Sequence, residues 1–326
     1  MTIPSLSIGS FTVPLPIIQG GMAVRISTAS LAAAVAREGG IGVIAGTGMC
    51  TKELRNEILK AKELAQGKGK IGVNVLFAAS NFAELIKEAM EAGIDLVIYG
   101  AGFSKDVFKL GKEYNCPVVP IVSSARLAKT AEKLGAAAVI VEGCEAGGHL
   151  GTDRSLRDLI SEVKKETTIP IIGAGGISSG EDMYNVMKLG ADGVQIATRF
   201  AASEESNASE EFKKVYLSSV EGDSVLIDSP VGLPGRAVRT SFSQSIINGE
   251  RIPVEKCTCC LKSCSKSFCI KKALENAQMG YIEKGLVFAG INVHKVYEIL
   301  PVKTIINELI QEFEATTKRY GGLWND

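Results

Sequence analysis

Through its first 200 residues the chain alternates short apolar runs with longer amphipathic ones. Runs rich in β-branched residues lie at 16–22, 40–45, 70–77, 96–100, 118–123, 138–142, 170–173 and 193–198. They are predominantly apolar with little alternation, the pattern of parallel strands covered on both faces. Between them stand segments of helical spacing, among them SLAAAVAREGG, TKELRNEILKAKELA, FAELIKEAMEAG, SARLAKTAEKLG, SLRDLISEVKKE and EDMYNVMKLG. Several end in glycine, which stops a helix in the left-handed conformation. Eight such units predict an α/β fold, a closed (β/α)8 TIM barrel over residues 1–201. An open doubly wound sheet is the weaker reading, because no GxGxxG opens the first βα unit.

Beyond residue 201 the periodicity changes. Residues 202–219 read as one more helix, and 220–256 as irregular chain around DSPVGLPGRAVRTSF. A cysteine-rich stretch follows, then helical runs near 270–284 and 302–318. Residues 202–326 are therefore expected to form a C-terminal helical lid over the barrel mouth, carrying the cysteines at 257–269 and returning to the barrel.

Composition narrows the class. At 326 residues the chain suits one barrel with an addition, and 46% apolar residues exclude wholesale disorder. Lys plus Arg and Asp plus Glu are both 36, so nothing electrostatic points to nucleic acid or an anionic membrane. No run reaches the ~18 apolar residues of a spanning helix. The first residues, MTIPSLSIGSFTVPLP, lack the basic flank of a signal peptide. The expectation is a cytoplasmic protein with a small-molecule substrate, and by analogy with other barrels a homodimer.

The chemistry sits at three glycine-rich strand ends. GAGGI (173–177) and GVQIATRF (193–200) end the seventh and eighth predicted strands. Loops at those positions of a barrel commonly bind phosphate through backbone N–H groups. Gly175 and Gly176 would form the cradle, with Gln195 and Thr198 as hydrogen-bonding partners. EGCEAGGHLG (142–151) carries His149, one of only two histidines, among Gly147, Gly148 and Gly151, which allow close backbone approach to a ligand. A neutral imidazole at a barrel mouth is a competent acid or base near neutral pH, so His149 is the candidate catalytic residue. Glu142 and Glu145 either orient it or cap a helix. His294 reads as structural. Asn74, a polar residue inside an apolar strand, needs a partner, either neighbouring backbone or the edge of a bound ring.

The cysteines read CTCCLKSCSKSFC. Four of Cys257, Cys259, Cys260, Cys264 and Cys269 could hold a [4Fe–4S] cluster or a zinc ion. The spacing matches neither standard ferredoxin pattern, and a structural staple or a redox detector are the other readings.

Taken together, PIIQGGM, GVNV, EGCEAGGHLG, IIGAGGI and GVQIATRF resemble the nitronate monooxygenase and enoyl-ACP reductase II family over residues 10–250, and SPVGLPGRAVR resembles the segment that follows its barrel. The resemblance implies FMN as cofactor, its phosphate at Gly175, Gly176, Gln195 and Thr198. It places Gly21, Met22 and Asn74 along the flavin, with Glu142, Gly147 and Gly148 in the same binding set. It makes His149 the active-site histidine. The implied reaction is oxidation of an alkyl nitronate or similar acidic-carbon compound. Reduction of an enoyl thioester with NAD(P)H is the alternative. The cysteine segment departs from the family pattern. Outside the family, a phosphate-binding lyase or isomerase and a non-catalytic redox sensor remain open.

Overall fold

The computed structural model describes residues 3–320, 322 and 323. Eight parallel strands close into a barrel. In chain order they are β1 Ile17–Gln19, β2 Ile41–Ala45, β3 Lys70–Leu76, β4 Leu96–Gly100, β5 Val118–Val122, β6 Val139–Glu142, β7 Ile171–Ala174 and β8 Gly193–Ile196. Closure runs through β8, whose Val194, Gln195 and Ile196 pair with Ile17, Ile18 and Gln19 of β1. The predicted barrel is thus present. Only the first and eighth strands are clearly shorter than predicted. After Gln19 the chain makes one last rung, Gly20 N–H to the Ile196 carbonyl at 2.9 Å, and then turns away to line the mouth.

The barrel interior is packed with aliphatic side chains, Ile18, Val43, Ile98, Val119, Ile140 and Ile172 among them. A hairpin of Leu6–Ile8 and Phe11–Val13 plugs the bottom, adding Leu6, Ile8 and Val13 to the same core. Each of those three side chains is essentially inaccessible. At roughly 25 cal/mol per Å² of apolar area, such plugging contributes several kcal/mol.

The predicted helices form where serine caps them. Ser124, Ser155 and Ser179 each accept a backbone N–H at a helix start, and Ser179 with Asp182 forms a reciprocal capping box.

Two expectations are corrected past the barrel. Residues 202–219 are not one helix. A short helix, Thr198–Ala201, is followed by irregular chain and then by the helix Glu210–Leu217, started by a Ser209 cap. In between, Asn207 bonds the backbone of Arg25 and Ile26 rather than its own helix. Nor is 220–256 irregular throughout. Ser224–Asp228 and Pro234–Val238 form an antiparallel hairpin, followed by the helix Ser241–Ile247. The hairpin is extended by Gly148–His149, in the register Gly235 to His149 and Arg236 to Gly148. It is this pairing with the barrel loop that orders a strand reading PGRAV.

The last helix, Val302–Tyr320, lies against Gly180–Lys188 and touches Ala29–Arg37, filling the gap left in the ring of barrel helices after β8. Among the described residues no helix is long and apolar enough to cross a membrane.

Candidate active site at the barrel mouth

The C-terminal ends of the strands open into a cavity of about 420 Å³. Gly21, Met22, Asn74, Glu142, Gly147, Gly148, His149, Gln195 and Thr198 all line it. A smaller cavity of about 60 Å³ adjoins it between β7 and β8, lined by Gly175 and Gly176. Glu142, Gly147, Gln195 and Thr198 border both spaces. The structure therefore gathers every residue assigned above to the catalytic or cofactor set at one place.

The small cavity has the form of an anion cradle. Gly175 and Gly176 both take positive φ, 113° and 70°. A Cβ on either would lie 3.0 Å from the Ala146 nitrogen or the Glu145 Cβ. The bare glycine backbone is what leaves room there. Thr198 Oγ1 accepts the Gly290 N–H at 3.0 Å, which leaves its own proton for donation. Asn292 donates to the Gly176 carbonyl, so the lid closes the far wall.

Gln195 stands at the junction of the two spaces. It is 8% exposed, and its Oε1 has no hydrogen-bond partner. Leaving a buried amide oxygen bare costs about 1–3 kcal/mol, so the site is shaped for a donor that arrives from outside the protein.

His149 is held from the lid side. Its Nε2 lies 2.8 Å from Ser229 Oγ, and the Phe288 ring meets it edge-on at 5.2 Å. Burial pushes the imidazole pKa down to about 4, so the ring is neutral at ordinary pH. Neither of the two nearby glutamates orients it. Glu145 instead accepts the Leu156 N–H and caps the helix Leu156–Glu166. Glu142 faces both cavities, and burial pushes its carboxyl up to about 8. At neutral pH the mouth thus holds a protonated carboxyl and an unprotonated imidazole. Such an oppositely shifted pair can give and take protons without carrying net charge.

Residues 216–292 supply wall residues that the sequence did not reveal. They are Tyr216, Phe288, Gly290 and Asn292, with Ser229 behind them bonded to His149. Tyr216 donates its hydroxyl to the Phe288 carbonyl and so fixes the ring that meets His149. Ser229 carried no signal beyond its place in DSPVGLPGR. Gly290 and Asn292 stand in AGINVHKV, a segment singled out only for His294.

All five clustered cysteines border a third cavity, of about 190 Å³. Cys260 also borders the main one. Among the described residues no three His, Cys, Asp or Glu side chains converge closely enough to hold a single metal ion.

The chain has relatives among known proteins. The nitronate monooxygenase family model matches residues 5–312, and the chain belongs to that family. A (3aS,4S,5R,7aS)-5-hydroxy-7a-methyl-1-oxo-octahydro-1H-indene-4-carboxyl-CoA dehydrogenase of Mycobacterium tuberculosis is 29% identical, over 72% of this chain and 66% of its own length. A probable nitronate monooxygenase of Staphylococcus aureus is 28% identical, over 72% of this chain and 78% of its own. The chain thus spans just under two-thirds of the length of the mycobacterial relative. Among solved structures, FabK from Thermotoga maritima superposes with a TM-score of 0.82 at 32% identity, covering 93% of this chain and 94% of its own. A nitroalkane oxidase from Streptomyces ansochromogenes also gives 0.82, at 22% identity and with 94% and 98% covered, a likeness of fold.

Proposed function

We propose that this chain is an FMN-dependent oxidoreductase acting on alkyl nitronates or similar compounds with an acidic carbon. The observation that carries the reading is a neutral His149 facing a cavity whose inner end is a double-glycine cradle. FMN suits that space. A phosphate fits the cradle of Gly175 and Gly176 with the Thr198 hydroxyl, and a ring N–H or ribityl hydroxyl would satisfy the bare Gln195 Oε1. The cavity of about 420 Å³ falls in the usual range for cofactor sites. Gly21, Met22 and Asn74 would lie along the ring, and Gly147, Gly148 and Glu142 would complete the wall.

When bound, FMN supplies an acceptor and donor of one or two electrons. The protein does the rest. The ring nitrogen of His149 that Ser229 leaves free takes the proton of a carbon acid, or orients the nitro oxygens of a nitronate that has already lost it. Ser229 holds the imidazole in place for either task. Glu142 supplies a proton from a carboxyl kept neutral by burial. Phe288 and Tyr216 exclude water from above.

A second reading is reduction of an activated C=C bond in an enoyl thioester, with NAD(P)H as reductant. The FabK likeness, stronger in sequence than that to the nitroalkane oxidase, supports it. The same His149 would then polarise the thioester carbonyl. In either case the setting we propose is cytoplasmic, which suits eight cysteines without a disulfide, and the assembly a homodimer. The five clustered cysteines are read as a metal centre.

The absorption spectrum of anaerobically purified protein separates these readings. Flavin bands bleached by a nitronate without air, and indifferent to NADH or NADPH, support nitronate oxidation. Rapid bleaching by NAD(P)H supports the reductase. A colourless protein that binds no added FMN would refute both.

A further inference from the structure

Five of the eight cysteines fall within residues 257–269, and all five border the one cavity of about 190 Å³. Residues 251–269 form neither helix nor strand, apart from an isolated bridge between Leu261 and Ala79. Loops of that length without structure of their own are uncommon in compact domains and are usually functional. This one is docked on the loop that follows β3. Ser80 donates to the Cys260 carbonyl at 3.0 Å, Lys262 donates to the Ala78 carbonyl at 2.9 Å, and Lys262 Nζ lies 3.7 Å from the centre of the Phe77 ring. What would hold the remainder of the segment in shape is not its own backbone.

The arrangement of the thiols narrows the occupant. No disulfide joins them. A lone zinc ion needs its ligands gathered at about 2.3 Å around one point, and no three converge in that way. Instead all five border one cavity. A cubane cluster asks for that, because its irons sit at separate corners and its four thiolates stand further apart than the ligands of one ion. Four thiolates also leave such a cluster with net negative charge. Here Lys262 and Lys266 border the cavity, and Cys269 is the N-cap of the helix Ile270–Met279, whose positive dipole end faces that position.

We propose that this cavity seats a [4Fe–4S] cluster ligated by Cys260, Cys264 and Cys269, with either Cys257 or Cys259 as the fourth ligand. The first three are partly covered, whereas the last two are exposed near neighbours two residues apart, able to substitute for one another. Thr258, Cys260, Leu261 and Ile270 border both this cavity and the main one, so a single layer of residues separates the cluster from the active site. The assignment holds whichever substrate the barrel takes.

The test uses the full chain, purified without oxygen and supplied with ferrous iron and sulfide. Iron, acid-labile sulfide and zinc are then measured per chain, with electron paramagnetic resonance after dithionite reduction. The expected result is about four irons and four sulfides per chain and a signal from the reduced cluster. Cys260→Ala, Cys264→Ala and Cys269→Ala should each lower iron at least fivefold. Cys257→Ala and Cys259→Ala should each keep more than half, and the double variant should lose it. Circular dichroism of each variant separates lost ligation from lost folding. The wild-type metal content stands even if a variant fails to fold. One zinc per chain without sulfide would overturn the proposal. So would five freely titratable thiols with no metal, or full iron in the Cys260, Cys264 and Cys269 variants.

Discussion

Nε2 of His149 and Oγ of Ser229 lie 2.8 Å apart, joined across 80 residues of sequence. One belongs to the loop after β6 and the other to the turn of the lid hairpin. The position of the imidazole is therefore set by the lid as much as by the barrel. Replacing His149 with Ala should retain flavin and lower turnover by about 10²–10⁴-fold, the range for a lost general acid or base. Ser229→Ala removes one hydrogen bond worth ~1 kcal/mol, and should lower turnover only about fivefold. Steady-state kinetics on both variants, with flavin content measured alongside, check this. Unchanged turnover in His149→Ala would remove the residue from the chemistry.

The pH profile should carry the mark of burial. His149 is pushed down to about 4, so its base form persists through the ordinary range. The acid limb of kcat/KM should fall near about 4 rather than at the ~6.5 of a free imidazole. On the alkaline side, loss of the Glu142 proton should lower the rate as pH passes about 8, and Glu142→Gln should abolish that limb. A profile that breaks near 6.5 would mean that His149 is hydrated in the working enzyme.

Glu142 should also shape stability. Its carboxyl is raised from 4.5 to about 8 by burial, so the folded state favours the protonated form. Its contribution is fully present below about 4.5 and is lost as pH rises through about 8. His149 acts in the opposite sense, contributing above about 6.5 and losing it as pH falls through about 4. Thermal unfolding of flavin-free protein should show wild type losing stability towards alkaline pH, with the Glu142→Gln curve flatter there. Parallel curves would contradict the shift.

Gln195 offers a test in which stability and binding part company. Its buried Oε1 has no partner within the protein. Gln195→Leu should stabilise the flavin-free protein by up to ~1 kcal/mol and weaken FMN binding about tenfold or more. Calorimetric unfolding and flavin titration on the same variant decide it, and unimpaired FMN affinity would sink the assigned role.

The glycine cradle should tolerate nothing larger. Gly176→Val would force a β-branched residue to φ of 70° with its Cβ 3.0 Å from that of Glu145. FMN occupancy after purification should fall severalfold, and Thr198→Phe should do the same by filling the small cavity. Full occupancy in both would move the phosphate elsewhere.

Much of this could be read from the chain because of how parallel barrels are buried. Strands such as IGVIA and LVIYG are apolar on both faces, so they announce themselves. Gly175, Gly176, Gln195 and Thr198 were legible through their place at the ends of the seventh and eighth strands. The lid was less so. Its strand Pro234–Val238 exists because it pairs with Gly148–His149 and Ser224–Asp228, a non-local cause that PGRAV does not display. Ser229 and Asn292 act only through the partners that folding brings them.

The final helix has a bearing on how the molecule comes into being. Val302, Ile305, Ile306, Leu309 and Phe313 are almost wholly buried, against a barrel flank that includes the helix Ala29–Arg37, far earlier in the chain. Until the ribosome has released residues 302–320, that flank is bare, and the Leu309 backbone that packs over Gly180 is missing. The nascent barrel must therefore wait, greasy side open, while the lid and its cysteines are threaded out first. Deleting residues 302–320 would strand it in that state, a substrate for chaperones rather than for chemistry.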